Sequence, residues 1–240
     1  MKFLNLIAVT VSTLVVATVA TAGSITVVSW GGAYTKSQVE AYHKPWAKKT
    51  GNTVVSEDYS GGLAEVKAQV ESGNVTWDVV DVELSDALQG CDEGILEVID
   101  PSTLPAAPDG TPATDDFMDG ALQECAVGNI VWSTIYAYDK TKFDTAPTTM
   151  ADFFDVKKFP GKRGMRKLGK AMLEMALMGD GVPASEVYDL LNTPAGVDRA
   201  FAKLDTIKDH VVWWEAGAQP PQLLADGEVT MTIVWNGRIF

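Results

Sequence analysis

The sequence predicts an α/β fold, a parallel sheet covered by helices, on two observations. The composition is globular: 240 residues, 46% hydrophobic and 21% charged, neither disordered nor fibrous and long enough for one large or two modest domains. Short β-branched runs then alternate with stretches of helical apolar spacing, so the chain after residue 23 opens β-α-β-α-β. In sheets of this kind ligands sit beyond the carboxyl ends of the strands, here residues 29–34, 57–62 and 81–85.

The elements follow in order. Residues 1–22, MKFLNLIAVTVSTLVVATVATA, stand apart from the fold. Lys2 makes a basic start, an apolar run extends to about Val19, and Ala20-Thr21-Ala22 supplies the small-x-small cleavage pattern of a secretory signal peptide cut after Ala22. A membrane anchor is the alternative on length alone; the Ala-x-Ala ending favours the signal, and the chain is expected to be exported and soluble. Residues 24–30 (SITVVSW) read as a strand ended by Gly31-Gly32. Residues 35–50 read as a helix with Val39, Tyr42 and Trp46 on one face, a kink at Pro45 and Gly51 as its cap. A strand at 52–56 precedes a helix marked by Leu63, Val66 and Val70 and stopped by Gly73; residues 77–82 (WDVVDV) are the third strand. Residues 100–119, rich in Pro, Asp and Thr, read as irregular. Ala113 and Gly120 stand where a calcium loop needs acids. Strands are expected at 130–138, 161–165, 211–214 and 229–235, and helices at 150–154, 166–178, 183–191, 194–210 and 221–225. Val197, Phe201, Leu204 and Ile207 mark one face of the fourth of these helices. The chain stops at Phe240 in apolar sequence without a closing helix, and so reads as a fragment lacking its C-terminal part.

Composition also excludes functions. With 19 Lys and Arg against 32 Asp and Glu, the net charge of −13 repels phosphate backbones, so no nucleic-acid partner is expected. Two cysteines and two histidines leave no basis for a metal site of either residue type. Neither a nucleophile elbow, a P-loop, a dinucleotide fingerprint nor a His-Glu-x-x-His motif is present. His43 and His210 have no evident nucleophile beside them and read as surface residues. In an oxidising compartment Cys91 and Cys125 either form a disulfide or remain two separate buried thiols.

What recurs is aromatic residues at strand ends beside carboxylates or glycines: Trp30 with Gly31, Gly32 and Tyr34; Trp213 and Trp214 with Glu215; Trp235 before Asn236-Gly237. Asp81 and Glu83 are two apart, so an extended backbone would aim them alike. Rings backed by carboxylates suit an alkylammonium ligand. Each feature also has a structural reading, as core aromatics, helix-capping acids and turn glycines.

Four stretches then occur together: VVSWGGAYTKSQVEAYHKPWAKKTG, WDVVDVELSDALQGCDEGILEVID, TTMADFFDVKKFPGKRG and LLADGEVTMTIVWNGRIF. In this order they resemble the periplasmic solute-binding proteins of ABC transporters, in the branch containing the spermidine/putrescine-binding proteins. The resemblance implies a two-lobed, type II-like α/β fold with the ligand cleft between the lobes, residues 23–132 forming lobe 1 and residues 133–240 lobe 2. A first crossing strand near 130–138 carries Trp132. Family members return to lobe 1 after the Trp-Asn-Gly strand, a return absent from this sequence. The family role implied is non-enzymatic: a periplasmic monomer without cofactor that delivers a small solute to a membrane permease. By position Trp30 and Tyr34 match an aromatic turn that touches ligand, and Trp235 matches a cleft tryptophan. Glu83 falls where polyamine binders often have a ligand-contacting Ser, and Ser85 where they have Tyr. Two departures matter: Gly31-Gly32 replaces a Thr-Glu pair, and Arg163, Arg166 and Lys167 occupy a stretch where polyamine binders place acids. Such a cluster repels a polyamine or grips a carboxylate. The expected ligand is therefore polyamine-like, with a zwitterionic ω-amino acid as the alternative; readings of other classes are a secreted hydrolase using Asp81 and Glu83 and a bare adhesive or structural domain.

Overall fold

A computed structural model describes residues 22–239; the expected signal peptide falls outside them, apart from Ala22. Strand β1 (Ser24–Ser29) pairs in parallel with β2 (Thr53–Asp58) on one side and β3 (Val79–Val80) on the other. Between β1 and β2 the chain is helical throughout, as α1 (Gly32–Gln38), a π turn (Val39–His43) and α2 (Lys44–Thr50). The expected kink at Pro45 takes the form of that π turn. Proline has no N–H to donate, and the preceding turn widens so that the Lys44 N–H reaches the Val39 carbonyl. Gly51 and Gly73 close α2 and α3 (Ala64–Ser72) in the left-handed conformation. The third strand pairs over two residues only, although the Asp78 and Asp81 amides continue its bonding to Thr26 and Val28.

Helix α4 (Leu84–Asp92) follows β3 directly. The irregular segment holds a 3-10 turn at Pro101–Thr103, capped by the Asp100 carboxylate, and a single helical turn, α5 (Ala113–Asp116). A small hairpin, β4 (Leu122–Gln123) with β5 (Ala126–Val127), carries Cys125 at its turn. There Cys125 forms a disulfide with Cys91 of α4, Cα atoms 5.6 Å apart. The bond closes a loop of 34 positions and ties the hairpin to the first sheet's helix layer. Replacing both cysteines with serine is expected to lower unfolding stability by about 3–4 kcal/mol, as measured by urea titration, and alkylation of the unreduced, denatured protein should label no thiol.

The second sheet has four strands in the order β6-β9-β7-β8 and shares no strand with the first. Strand β6 (Thr134–Tyr138) runs antiparallel to β9 (Met231–Trp235), while β7 (Arg163–Arg166) is parallel to both β9 and β8 (Val211–Trp214). Its helices are α6 (Met150–Phe154), α7 (Met172–Gly179), α8 (Val187–Leu191), α9 (Pro194–Asp205) and α10 (Gln219–Ala225). Thr149 and Asp152 start α6 with a reciprocal capping box. The principal buried core lies here, built from Phe153, Phe159, Met165, Leu177, Ile207, Met231 and Ile233 among others.

Three expectations are corrected and one pair of alternatives is decided. The helix drawn from residue 166 begins at Met172, because Arg166 belongs to β7 and Ala171 turns the chain through a left-handed conformation. The helix drawn to 210 ends at Asp205; its buried face is Gly196 and Ala200, and Phe201 is exposed. The disulfide replaces the alternative of two free thiols. His43 is buried rather than at the surface, its Nδ1 without a partner. Burial depresses its pKa against the opposing pull of Asp81.

Candidate functional site

Parallel strands aim their carboxyl ends in one direction, and the two sheets turn those ends toward each other. From the first sheet come the turn after β1, the loop after β2 and the β3–α4 junction. From the second come the ends of β7, β8 and β9. Between them lies a cleft of about 390 Å³ bordered by Ser60, Gly61, Gly62, Glu83 and Asp86 on one side and Arg166, Lys167, Leu168, Lys170 and Glu215 on the other. That volume suits a small organic ligand.

Arg166 is central to this arrangement. It ends β7, is 8% exposed, and sends its guanidinium across to the first sheet. Nη1 donates to Glu83 Oε1 at 3.1 Å and Nη2 to the Ser60 carbonyl at 3.3 Å. Behind it the guanidinium lies over the Trp235 ring, 5.0 Å from the centroid. Gly61 allows the close approach: its φ is +89°, and a Cβ there would lie 3.3 Å from Arg166 Nη2 and 3.2 Å from Trp30 Nε1. Glu83, also 8% exposed, takes a second cation, Lys170 Nζ at 2.8 Å from Oε2. Lys170 further contacts Asp86 Oδ1 at 2.9 Å and Ser85 Oγ at 2.8 Å. Glu215 sits at the open rim, 3.3 Å from Lys167.

The aromatic residues assemble behind this polar wall. Trp235 stacks against Trp30 at 6.0 Å and meets Trp132 and Trp214 edge-on; Trp30 in turn stacks on Tyr34. Arg238 covers Trp235 at 5.4 Å and donates to the Trp30 and Gly31 carbonyls, a second tie between the sheets. A small void of about 20 Å³ touches Trp132, Trp235, Arg166 and Glu83. Neither Trp30 nor Tyr34 borders the larger cleft. Gly31 and Gly32 have φ of +70° and +64°, so they serve the sharp turn from β1 into α1.

Asp81 is engaged within the first sheet's unit. It accepts from Ser29 Oγ at 2.6 Å, Gln38 Nε2 at 2.5 Å and Asn129 Nδ2 at 2.9 Å. Tyr34 donates to Asn129, and burial together with Asp81 pushes its phenol up to about 12. Asp81 and Glu83 therefore belong to separate networks. Arg163 is no part of the cleft either: it is wholly buried among carbonyl oxygens of the second unit. Among the expected site residues, Glu83, Arg166 and Glu215 border the cleft, Ser85 reaches it through Lys170, and Trp132 and Trp235 line the void behind. Lys170, Asp86, Arg238 and the Ser60–Gly62 backbone were not singled out from sequence, although residues 57–62 were marked as a strand end. Among the described residues no group of three or more His, Cys, Asp or Glu converges as a metal site, and no helix is long and apolar enough to cross a membrane.

Residues 41–240 match the family described as bacterial extracellular solute-binding protein. A gamma-aminobutyric acid-binding protein of Pseudomonas aeruginosa PAO1 is 51% identical over 216 residues, covering 90% of this chain and 59% of its own length. The crystal structure of the binding protein MotA from A. tumefaciens B6 in complex with glucopine superposes with a TM-score of 0.81 at 38% identity, covering 90% of this chain and 65% of that one. An Atu4243–GABA receptor structure gives 0.71 at 36% identity, covering 90% and 63%. A spermidine/putrescine-binding protein of Streptococcus pneumoniae shares 15% identity at a TM-score of 0.59, covering 91% and 64%, a likeness of fold alone. The chain thus spans about three fifths of the length of these relatives.

Proposed function

Because the chain belongs to the bacterial extracellular solute-binding proteins, we propose that it captures a small zwitterionic amino compound, of the 4-aminobutanoate class, in the periplasm and delivers it to the permease of an ABC importer. The observation that carries this reading is Arg166, a buried planar fork on the wall of the cleft with Lys170 and Lys167 beside it. A guanidinium so placed suits a ligand carboxylate bidentately. Glu215, on the same cleft, offers its carboxylate to the ammonium end, because its pairing with Lys167 is exposed at the rim and worth little. Relatives whose names specify gamma-aminobutyric acid support the same ligand class.

The polyamine-like reading gives way to this one. A polyamine brings only cations, and in the cleft it would meet Arg166, Lys167 and Lys170, with Glu83 and Asp86 already paired to cations of the protein. The hydrolase reading loses its pair, since Asp81 and Glu83 are engaged in different networks. Trp235, with Trp30 stacked on it, acts in this reading by holding Arg166 in place. The test is titration calorimetry of the purified protein with 4-aminobutanoate and with 1,4-diaminobutane. Saturable one-to-one binding of the amino acid and none of the diamine is the expected result; the reverse order overturns the proposal.

A further inference from the structure

The cleft already contains a primary ammonium of its own. Lys170 leaves the second unit just before α7 and crosses to the start of α4, where Glu83, Ser85 and Asp86 surround its Nζ at 2.8, 2.8 and 2.9 Å. Three donors thus meet three oxygens, two of them anionic, which is the full hydrogen-bonding capacity of an alkylammonium group. Glu83 occupies the N-cap position of α4 yet makes no side-chain hydrogen bond to that helix. Its carboxylate turns to the cations across the cleft instead. Burial by itself would lower the Lys170 pKa, but Glu83 and Asp86 more than offset this and hold it above the ordinary lysine value. The group remains partly accessible from the cleft it borders, with 36% of its side chain exposed.

We infer that Lys170 determines the charge selectivity of the cleft, its side chain filling as a tethered ammonium the subsite that Glu83, Ser85 and Asp86 would otherwise offer to an alkylammonium ligand. This rests on the reading of the cleft as the ligand site. With Lys170 in place, a second cation finds both carboxylates satisfied and a positive charge in its path. The same lysine therefore rejects diamines. Shortening it vacates an acidic pocket that still keeps its three oxygens, and a free amine can enter.

The experiment compares the parent protein with Lys170→Ala and Lys170→Gln. Titration calorimetry with 1,4-diaminobutane is expected to show at least about tenfold tighter binding to both variants than to the parent. n-Propylammonium should raise the melting temperature of Lys170→Ala and leave the parent unchanged, because it refills the vacated place; tetramethylammonium, which has no N–H, should shift neither protein. Equal diamine affinity in all three proteins, or an equal thermal response of parent and alanine variant to propylammonium, overturns the inference. Lys170→Gln preserves most of the side-chain packing and delivers the diamine result if the alanine variant does not fold. Parallel titrations with 4-aminobutanoate keep the two claims apart: loss of that ligand from the parent with diamine gain intact refutes the ligand assignment alone, and the converse refutes the role of Lys170 alone.

Discussion

Replacing Arg166 with alanine is expected to weaken binding of a zwitterionic ligand by about 2–5 kcal/mol, roughly 30- to 5,000-fold in Kd. The size of the effect follows from its surroundings. The guanidinium is held by Glu83 and the Ser60 carbonyl on one side and the Trp235 ring on the other, so it is preorganised and gives up little freedom when a carboxylate arrives. Its removal uncovers one face of Trp235 and leaves Glu83 to Lys170 alone. Arg166→Lys keeps the charge but not the planar fork and should lie between parent and alanine. Circular dichroism establishes that each variant folds; titration calorimetry then measures affinity. An unchanged Kd in a folded Arg166→Ala protein would remove Arg166 from the ligand site.

Arg163→Met is expected to cost about 3–5 kcal/mol of unfolding stability, read from urea denaturation. Arg163 is completely buried. Nε donates to the Phe153 carbonyl at 2.7 Å, Nη1 to Gly161 at 2.9 Å, and Nη2 to Phe159 at 2.5 Å, with longer contacts to Asp155 O and Thr230 Oγ1. Its guanidinium binds the Phe153 carbonyl left open where α6 ends, together with the Phe159 and Gly161 carbonyls of the turn that follows. Burial pushes its pKa down to about 10, with Asp155 opposing, so it stays charged at neutral pH. Methionine preserves the volume and leaves those carbonyls without donors. Ligand affinity should change by less than about twofold, because Arg163 lies outside the cleft and distant sites act independently. A stability loss below about 1 kcal/mol would show that water satisfies the exposed carbonyls equally well.

These two arginines show how far local pattern reaches. Strand alternation and helical spacing placed most of the elements, because apolar periodicity and caps such as Gly51 and Gly73 are written over a few neighbouring positions. The stretch from Arg163 to Lys167 was legible as basic but not as divided. Residues three apart on a strand point to opposite faces. Once β7 extends through Arg166, Arg163 must face the α6 carbonyls while Arg166 faces the cleft. Ending the strand at residue 165 merged them into one cluster. His43 was misplaced for a related reason: beside Lys44 on a helix it looks solvated, and only the packing of that helix buries it.

Fold class, the expectation of export, the strand ends that matter and the mixture of acids and bases near them can all be derived from residue order. Each is a matter of composition or short-range pattern. The charge pairing of the cleft is not. Glu83 and Arg166 are 83 positions apart, and Lys170 reaches Ser85 across 85 and Asp86 across 84. Which cation meets which carboxylate depends on how two separate sheets turn their strand ends together. Because an ion pair's worth depends on distance and burial, only the tertiary structure decides that Lys170 meets both Glu83 and Asp86 while Arg166 shares Glu83 and borders the cleft.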